Sequence, residues 1–422
     1  MFKYLIVGNS AGGVGAVEGI READRAGSIA VISDEPYAAY SRPLITYYLA
    51  DQVELKNVNY RPHDFYRLHG IETLLGNKAV ELNIKESKVV LSDGKEVAFE
   101  KLLLATGGKP FVPPIAGSDK QGVFTFTSLD DAKKVKKLLP RVKHAVVIGG
   151  GLIGLKVAEA LAQREVKTTV VELADRVLSP VLDPHASHLV QDIFRKKGVE
   201  ILTSRTVKEI LGGEKDSDIA AGVALDDGRE IPCDLVVIAI GVVPRTDLAQ
   251  GNMEVNRGIV VDDHMAASAD GIYAAGDVAE AYDFLWDQKR VTPIWPNAYL
   301  QGRVAGLNMA GKEALYPGGM GMNSTTFFGF PIVSAGICNL EDPRFEMVVR
   351  NGKNGYYKKL VLEQGRIKGM IFAGAIDRAG IICGLIKDAV NVQRFKGALM
   401  AEDFGFVSLP DKVRKERLTV RS

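Results

Sequence analysis

The chain has 422 residues, 46% of them hydrophobic and 25% charged, and a net charge of +1. Its length exceeds a single core and implies two to three domains. A balance this close to neutral gives no global field favouring nucleic acid, an acidic substrate or a membrane surface, so any steering has to be local. No apolar run reaches membrane-spanning length, so nucleic acid and membrane insertion are both set aside. Met1 leads straight into a strand, which argues against a cleaved signal peptide. The three cysteines lie far apart without CxxC spacing, which fits a reducing cytoplasm and no structural disulfide.

In chain order, the first signal is residues 4–13, an apolar strand entering a glycine turn and a helix start. Backbone N–H groups and the helix dipole can hold a pyrophosphate there, with Gly8, Ser10, Ala11 and Gly12 as candidate contacts. Ser10 stands where a second glycine is usual, and its small side chain still lets a ligand approach. The strand at 29–33 is followed by Asp34 and Glu35, either of which can meet a ribose hydroxyl. A later strand, 102–104, runs into Ala105, Thr106 and Gly107, and the proline-rich stretch 110–117 reads as a linker.

The second signal is residues 145–154, where Gly149, Gly151 and Gly154 complete the glycine pattern and Leu152 and Ile153 open the helix. Glu172 ends a strand eighteen residues after Gly154. A further strand, 235–239, leads to Gly241. The two turns lie 141 residues apart with the same sequel, which marks an internal duplication of one βαβ nucleotide domain. Two turns imply two dinucleotides. A third strand and turn, 271–277 with Gly276 and Asp277, has no counterpart in the second copy and returns the chain to the first domain.

The expected fold class is therefore α/β, with two Rossmann-like dinucleotide-binding domains and a small α+β C-terminal domain. The expected limits are 1–112 with 242–317, then 113–241, then 318–422. In the last part, apolar stretches at 331–335, 345–349 and 359–362 suggest an antiparallel sheet, followed by a helix over 379–387. The basic run 412–417 reads as a solvated tail, with a docking strip as the alternative.

Cys338 and Cys383 sit in apolar runs and read as buried small hydrophobes. His63, His69, His185 and His188 read as solvated or structural. Neither a Ser-His-Asp set nor a metal cluster occurs at usable spacing, and cysteines to hold an iron–sulfur cluster are lacking. No acid–base catalytic residue and no metal ligand is assigned.

With Ala105-Thr106-Gly107, Gly241-Val242-Val243-Pro244 and Ala275-Gly276-Asp277 in that order between and after two glycine turns, the chain resembles the pyridine nucleotide-disulfide oxidoreductase superfamily over essentially its whole length. The resemblance implies FAD on the first turn and NAD(H) on the second. It places Asp277 on the FAD ribityl chain, Thr106 and Gly107 along the FAD, and Pro43 and Val80 among the FAD contacts. It puts Ala298, within 295–302, at a helix start facing the flavin pyrimidine edge. Glu172 would take the NAD ribose hydroxyls and repel a 2′-phosphate, favouring NADH, although Arg176 lies nearby.

Position 43 decides the branch, because it holds proline where the oxidase and coenzyme A disulfide reductase branch carries a cysteine. No cysteine precedes Cys233, so a thiol relay lacks its nucleophile. The run 40–44 is similar instead to ferredoxin, rubredoxin and nitrite reductase flavoproteins, which would set Arg42 on the FAD pyrophosphate, with a surface salt bridge as its alternative. Two positions depart from that branch: Tyr47 stands where a lysine is common, and Lys156 where a glutamate is.

The resemblance implies an FAD-dependent NAD(H) oxidoreductase exchanging single electrons with a redox protein. That partner is either a rubredoxin- or ferredoxin-type carrier or an iron–sulfur subunit of a complex. General sequence texture is similar to the NADH-reactive flavin subunits of 2-oxoacid oxidoreductases such as phenylglyoxylate dehydrogenase, which points to anaerobic metabolism and leaves NAD⁺ reduction open as the direction. A homodimer or a hetero-oligomer through the C-terminal domain is left open. The rivals are an NADH oxidase and a non-enzymatic, NADH-sensing flavin protein.

Overall fold

A computed structural model describes residues 1–340, 342–352, 355–401 and 404–418. The chain divides into two compact units, one made of Met1–Pro114, Val123–Val142 and Val237–Gly321, the other of Ile115–Gly122, Lys143–Val236 and Met322–Ser422.

The first unit is built on a sheet whose centre is parallel. Strand β1 (Phe2–Val7) pairs in parallel with β2 (Ile29–Ser33) on one side and with Glu96–Leu104 on the other. Ile71–Leu75 continues the sheet beyond β2, and Ile272–Ala274 joins Glu96–Leu104. Every residue of β2 is buried, the continuous apolar run expected of a parallel strand covered on both faces. From β1 the sheet extends in opposite directions, and such a switch point leaves a crevice at the strands' carboxyl ends. There the amide of Ala105 donates to Val7 O at 2.8 Å and that of Ala275 to Leu104 O at 3.1 Å. The turns that follow Val7, Leu104 and Ala274 thus meet at one end of one sheet.

Helix α1 (Ala11–Ala23) lies so close to the helix Trp295–Met309 that a Cβ on Gly302 would sit 1.9 Å from Gly12 O. Only glycine permits that approach.

The second unit repeats the motif. Its sheet sets Lys167–Glu172 in parallel between His144–Ile148 and Glu200–Thr203, with Leu235–Ile238 beyond His144–Ile148. A separate antiparallel sheet runs in the order Met322–Phe327, Phe330–Gly336, Arg366–Ala373, Tyr357–Glu363, Glu346–Asn351. The helix Ala379–Lys387 packs on Arg366–Ala373 and has the bounds read from the sequence. The basic run 412–417 lies within a helix, Asp411–Leu418, on which Lys412 and Lys415 are exposed. Asp411 receives a hydrogen bond from the Arg414 guanidinium one turn on, an i,i+3 pair that favours the helical form.

Candidate nucleotide-binding sites

The two glycine turns share one geometry. Gly8 and Gly149 both have positive φ, +124° and +109°. A Cβ on Gly13 would fall 2.0 Å from Gly8 O, and one on Gly154 the same distance from Gly149 O. Gly13, rather than Gly12, is therefore the twin of the third glycine in the second turn. Gly12 serves the helix contact described above, packing beside Ala298 and Ala275.

The helices that follow are bare at their N-termini. No described side chain caps α1 at Ser10 or the helix Leu152–Gln163 at Gly151, and neither has an acidic residue in its first turn. Two other helices are capped, one by the reciprocal capping box of Ser128 and Asp131 and one by Asp183, which accepts from the Ala186 amide, while Trp295–Met309 and Ala379–Lys387 also start without a side-chain cap. Uncapped N–H groups beside a tight turn are what an anionic diphosphate satisfies.

The structure separates the two acids after β2. Glu35 has both oxygens engaged, Oε1 by the Tyr40 hydroxyl at 2.6 Å and Oε2 by Arg42 Nη2 at 2.6 Å. Arg42 Nη1 donates to Thr127 O at 2.7 Å, and the Leu129 amide donates to the Tyr40 hydroxyl at 3.0 Å. Asp34 is more exposed, and among the described residues only its Oδ2 is taken, by Arg245 Nη1 at 2.8 Å. Asp34 keeps an oxygen for a ligand. The segment leading to Val80 returns to this end of the sheet, since the Gly76 amide donates to Glu35 O and the Asn77 amide to Ser33 O. Val80 and Pro43 are both exposed.

Asp277 follows the strand Ile272–Ala274 and is partly buried, and its carboxylate accepts no hydrogen bond among the described residues. Burial pushes its carboxyl above the usual range, with the Arg42 charge pulling the other way. Next to it, the Gly276 amide donates to Gln301 Oε1 at 2.8 Å, and Ala298 Cβ lies 3.4 Å from where a Gly276 Cβ would be. Thr106 Oγ1 donates to Arg245 O at 2.8 Å. Gly241, at φ +121°, opens the strand Val242–Pro244, which pairs with Gly108–Pro110.

In the second unit Glu172 folds back on its own turn. Its Oε2 accepts from the Gly150 amide at 2.5 Å and its Oε1 from the Ala174 amide at 2.7 Å. These bonds fix the carboxylate at the rim of the turn. Arg176 Nη1 pairs with Asp175, so its charge is directed to a neighbour rather than to Glu172. Leu152 is half-buried and Ile153 exposed at the helix start. Lys156, on the same helix, donates to Glu159 Oε2 at 2.5 Å and to Thr326 O at 3.2 Å, and Glu159 Oε1 accepts from the Phe328 amide at 2.6 Å. The cation found in place of a glutamate is thus balanced by a carboxylate one turn later.

The thiols are inert by position. Burial raises both Cys233 and Cys338 to about 12 and pushes Cys383 up as well. Cys338 Sγ donates to the carbonyls of Met370 and Ala335.

A model of the pyridine nucleotide-disulphide oxidoreductases matches residues 2–302, and one of the rubredoxin NAD⁺ reductase C-terminal domain matches 322–390. The chain belongs to the pyridine nucleotide-disulphide oxidoreductases. This oxidoreductase is 32% identical over 404 residues to the epsilon subunit of an NADH-dependent phenylglyoxylate dehydrogenase from Aromatoleum evansii, covering 94% of each chain. It is 31% identical to an NADH oxidase of Methanocaldococcus jannaschii, covering 93% of this chain and 91% of that one. Its fold matches putidaredoxin reductase, in a covalent complex with putidaredoxin, with a TM-score of 0.85 at 26% identity, covering 92% and 94% of the two chains.

The oxidoreductase uses FAD and NAD(H), and its residues fit both groups. A bare α1 N-terminus, a carboxylate at Asp277 with no hydrogen-bond donor among the described residues and an Asp34 with one oxygen to spare would hold the diphosphate, the ribityl chain and the adenosine ribose. Sequence reading gave no role to Gly13 or Tyr40, although both lie in runs it singled out, and passed over Thr127, Glu159 and Arg245. Only Gly13 carried a signal, the spacing it shares with Gly154; the others act through contacts 85 or more residues distant or through a helical turn. No helix among the described residues is long and apolar enough to cross a membrane.

Proposed function

We propose that this oxidoreductase carries electrons between NADH and a separate redox protein or iron–sulfur subunit, in the cytoplasm. Residues 1–112 with 242–317 hold FAD, residues 113–241 hold NAD(H), and residues 318–422 form the docking domain. The observation that carries the reading is the thiol inventory. Position 43 is proline, and the cysteines present are kept protonated by burial. Electrons leaving the flavin therefore have no route through a cysteine of this chain.

Bound FAD supplies the conversion of a hydride donor into a source of single electrons. The chain's own part is to bind and orient. Asp277 and Asp34 accept from the cofactor's hydroxyls, the bare helix starts meet its phosphates, and Glu172 selects the nucleotide. The likeness to a dehydrogenase subunit and to a reductase solved with its carrier supports a protein acceptor. The likeness to an NADH oxidase supports a second reading, with oxygen as acceptor.

The test is anaerobic reduction of the flavin by NADH, followed by turnover with rubredoxin, ferredoxin or oxygen. Fast turnover with a carrier and slow turnover with oxygen is the expected result, and it should survive replacement of Cys233, Cys338 and Cys383 by serine. Fast turnover with oxygen alone moves the assignment to an oxidase.

A further inference from the structure

Arg245 and Asp34 are 211 residues apart in sequence and joined at 2.8 Å. The backbone of Arg245 is tied down on both sides: its amide donates to Gly107 O at 2.9 Å, and its carbonyl accepts from Thr106 Oγ1 at 2.8 Å. Arg245 follows the strand Val242–Pro244, so its side chain starts beside the loop after Glu96–Leu104, to which its backbone is bonded, and reaches back to the end of β2. Both side chains of the pair are more than a third exposed, so the contact adds little to stability. Its geometry does more. One carboxylate oxygen of Asp34 is held while the other stays open, and neighbouring Glu35 is spent on Tyr40 and Arg42.

We propose that Arg245 is a positioning residue for the adenosine end of FAD, fixing Asp34 so that its open oxygen accepts from the adenosine ribose diol. The inference rests on the reading of the first unit as the FAD site. A carboxylate held by a guanidinium loses little freedom on meeting a hydroxyl, whereas an unheld one pays for its ordering when the ligand arrives.

The test strips flavin from the full-length protein and measures affinity for FAD and for its analogue with 2′,3′-dideoxyadenosine, by quenching of flavin fluorescence. Wild type should prefer FAD by about tenfold, the worth of one hydrogen bond to a charged acceptor. In Arg245→Met and in Asp34→Asn the preference should collapse toward unity, the double variant should lose no more than either alone, and Arg245→Lys should retain part of it. A strap that only joins two segments would weaken both flavins alike and leave their ratio unchanged. An unchanged ratio in Arg245→Met, no more retention in Arg245→Lys than in Arg245→Met, or independent losses in the double variant overturns the proposal. Failure of wild type to bind FAD at all defeats the FAD-site reading itself, a separate outcome from an unchanged ratio.

Discussion

Glu172 and Asp277 each follow a parallel strand, yet their surroundings set them different tasks. Glu172 is anchored by two backbone amides and presents a fixed negative charge at the second turn. A 2′-phosphate brought beside it would cost several kcal/mol. Wild type should therefore prefer NADH, and Glu172→Gln should narrow the NADH-to-NADPH ratio of kcat/KM by about tenfold or more. Preference of wild type for NADPH would place Arg176 in control. Asp277 accepts no hydrogen bond among the described residues, and its folded-state carboxyl is raised by burial. Below the ordinary value of roughly 3.9 the group is neutral in both states, and the penalty grows as pH rises from there through the raised value, above which it stays constant. Asp277→Asn should then raise the melting temperature of the flavin-free protein at pH 7 and change it little at pH 3. Asp277→Ala should weaken FAD binding by about 1–3 kcal/mol. Equal flavin retention in that variant would remove Asp277 from the site.

Among the elements, legibility tracked burial and locality. The strands around both glycine turns are buried on both faces, so they read as apolar runs, and the helix Ala379–Lys387 read correctly because its apolar residues are contiguous. Met322–Phe327 escaped notice because it is a half-buried strand of polar and apolar residues, and Arg366–Ala373 because Lys368 and Gly369 interrupt its pattern. The choice between Asp34 and Glu35 was not legible at all, since it depends on Arg245 and Arg42 reaching their partners through folding. Also invisible was a buried cluster in the second unit. Asp183 caps the helix Pro184–Lys196 and accepts from the Tyr357 hydroxyl at 2.5 Å and from Lys359 at 3.1 Å. Burial pushes the Asp183 carboxyl up, but these donors together bring it below its ordinary value. Its contribution is therefore present above about pH 4 and is lost as pH falls through the lowered value. Asp183→Ala should cost about 3–5 kcal/mol at pH 7 by leaving Lys359 buried and unpaired. Urea unfolding checks this, and Asp183→Ala with Lys359→Met should recover part of the loss. A cost near zero would mean water replaces the carboxylate.

On the scale of the whole molecule, a net charge of +1 offers a partner no long-range attraction, so recognition of an acidic carrier has to come from a local patch. Lys412 and Lys415 are exposed on the helix Asp411–Leu418, while Arg414 is turned toward Asp411. If this helix helps orient a small acidic carrier, Lys412→Glu should slow electron transfer to it several-fold at low ionic strength, and the effect should fade as the Debye length shrinks from about 30 Å at 0.01 M salt to 8 Å at 0.15 M. Anaerobic flavin reduction by NADH should be indifferent to both changes, because that step involves no second protein. The two rates, measured separately by stopped flow, divide the outcomes. A salt dependence confined to the carrier step, and weakened by Lys412→Glu, places steering on this helix; salt dependence untouched by the substitution places it elsewhere on the surface. Weak salt dependence, with iron–sulfur subunits copurifying from native extract, would mean that the partner is held in a stable complex, where steering has no work to do once assembly is complete.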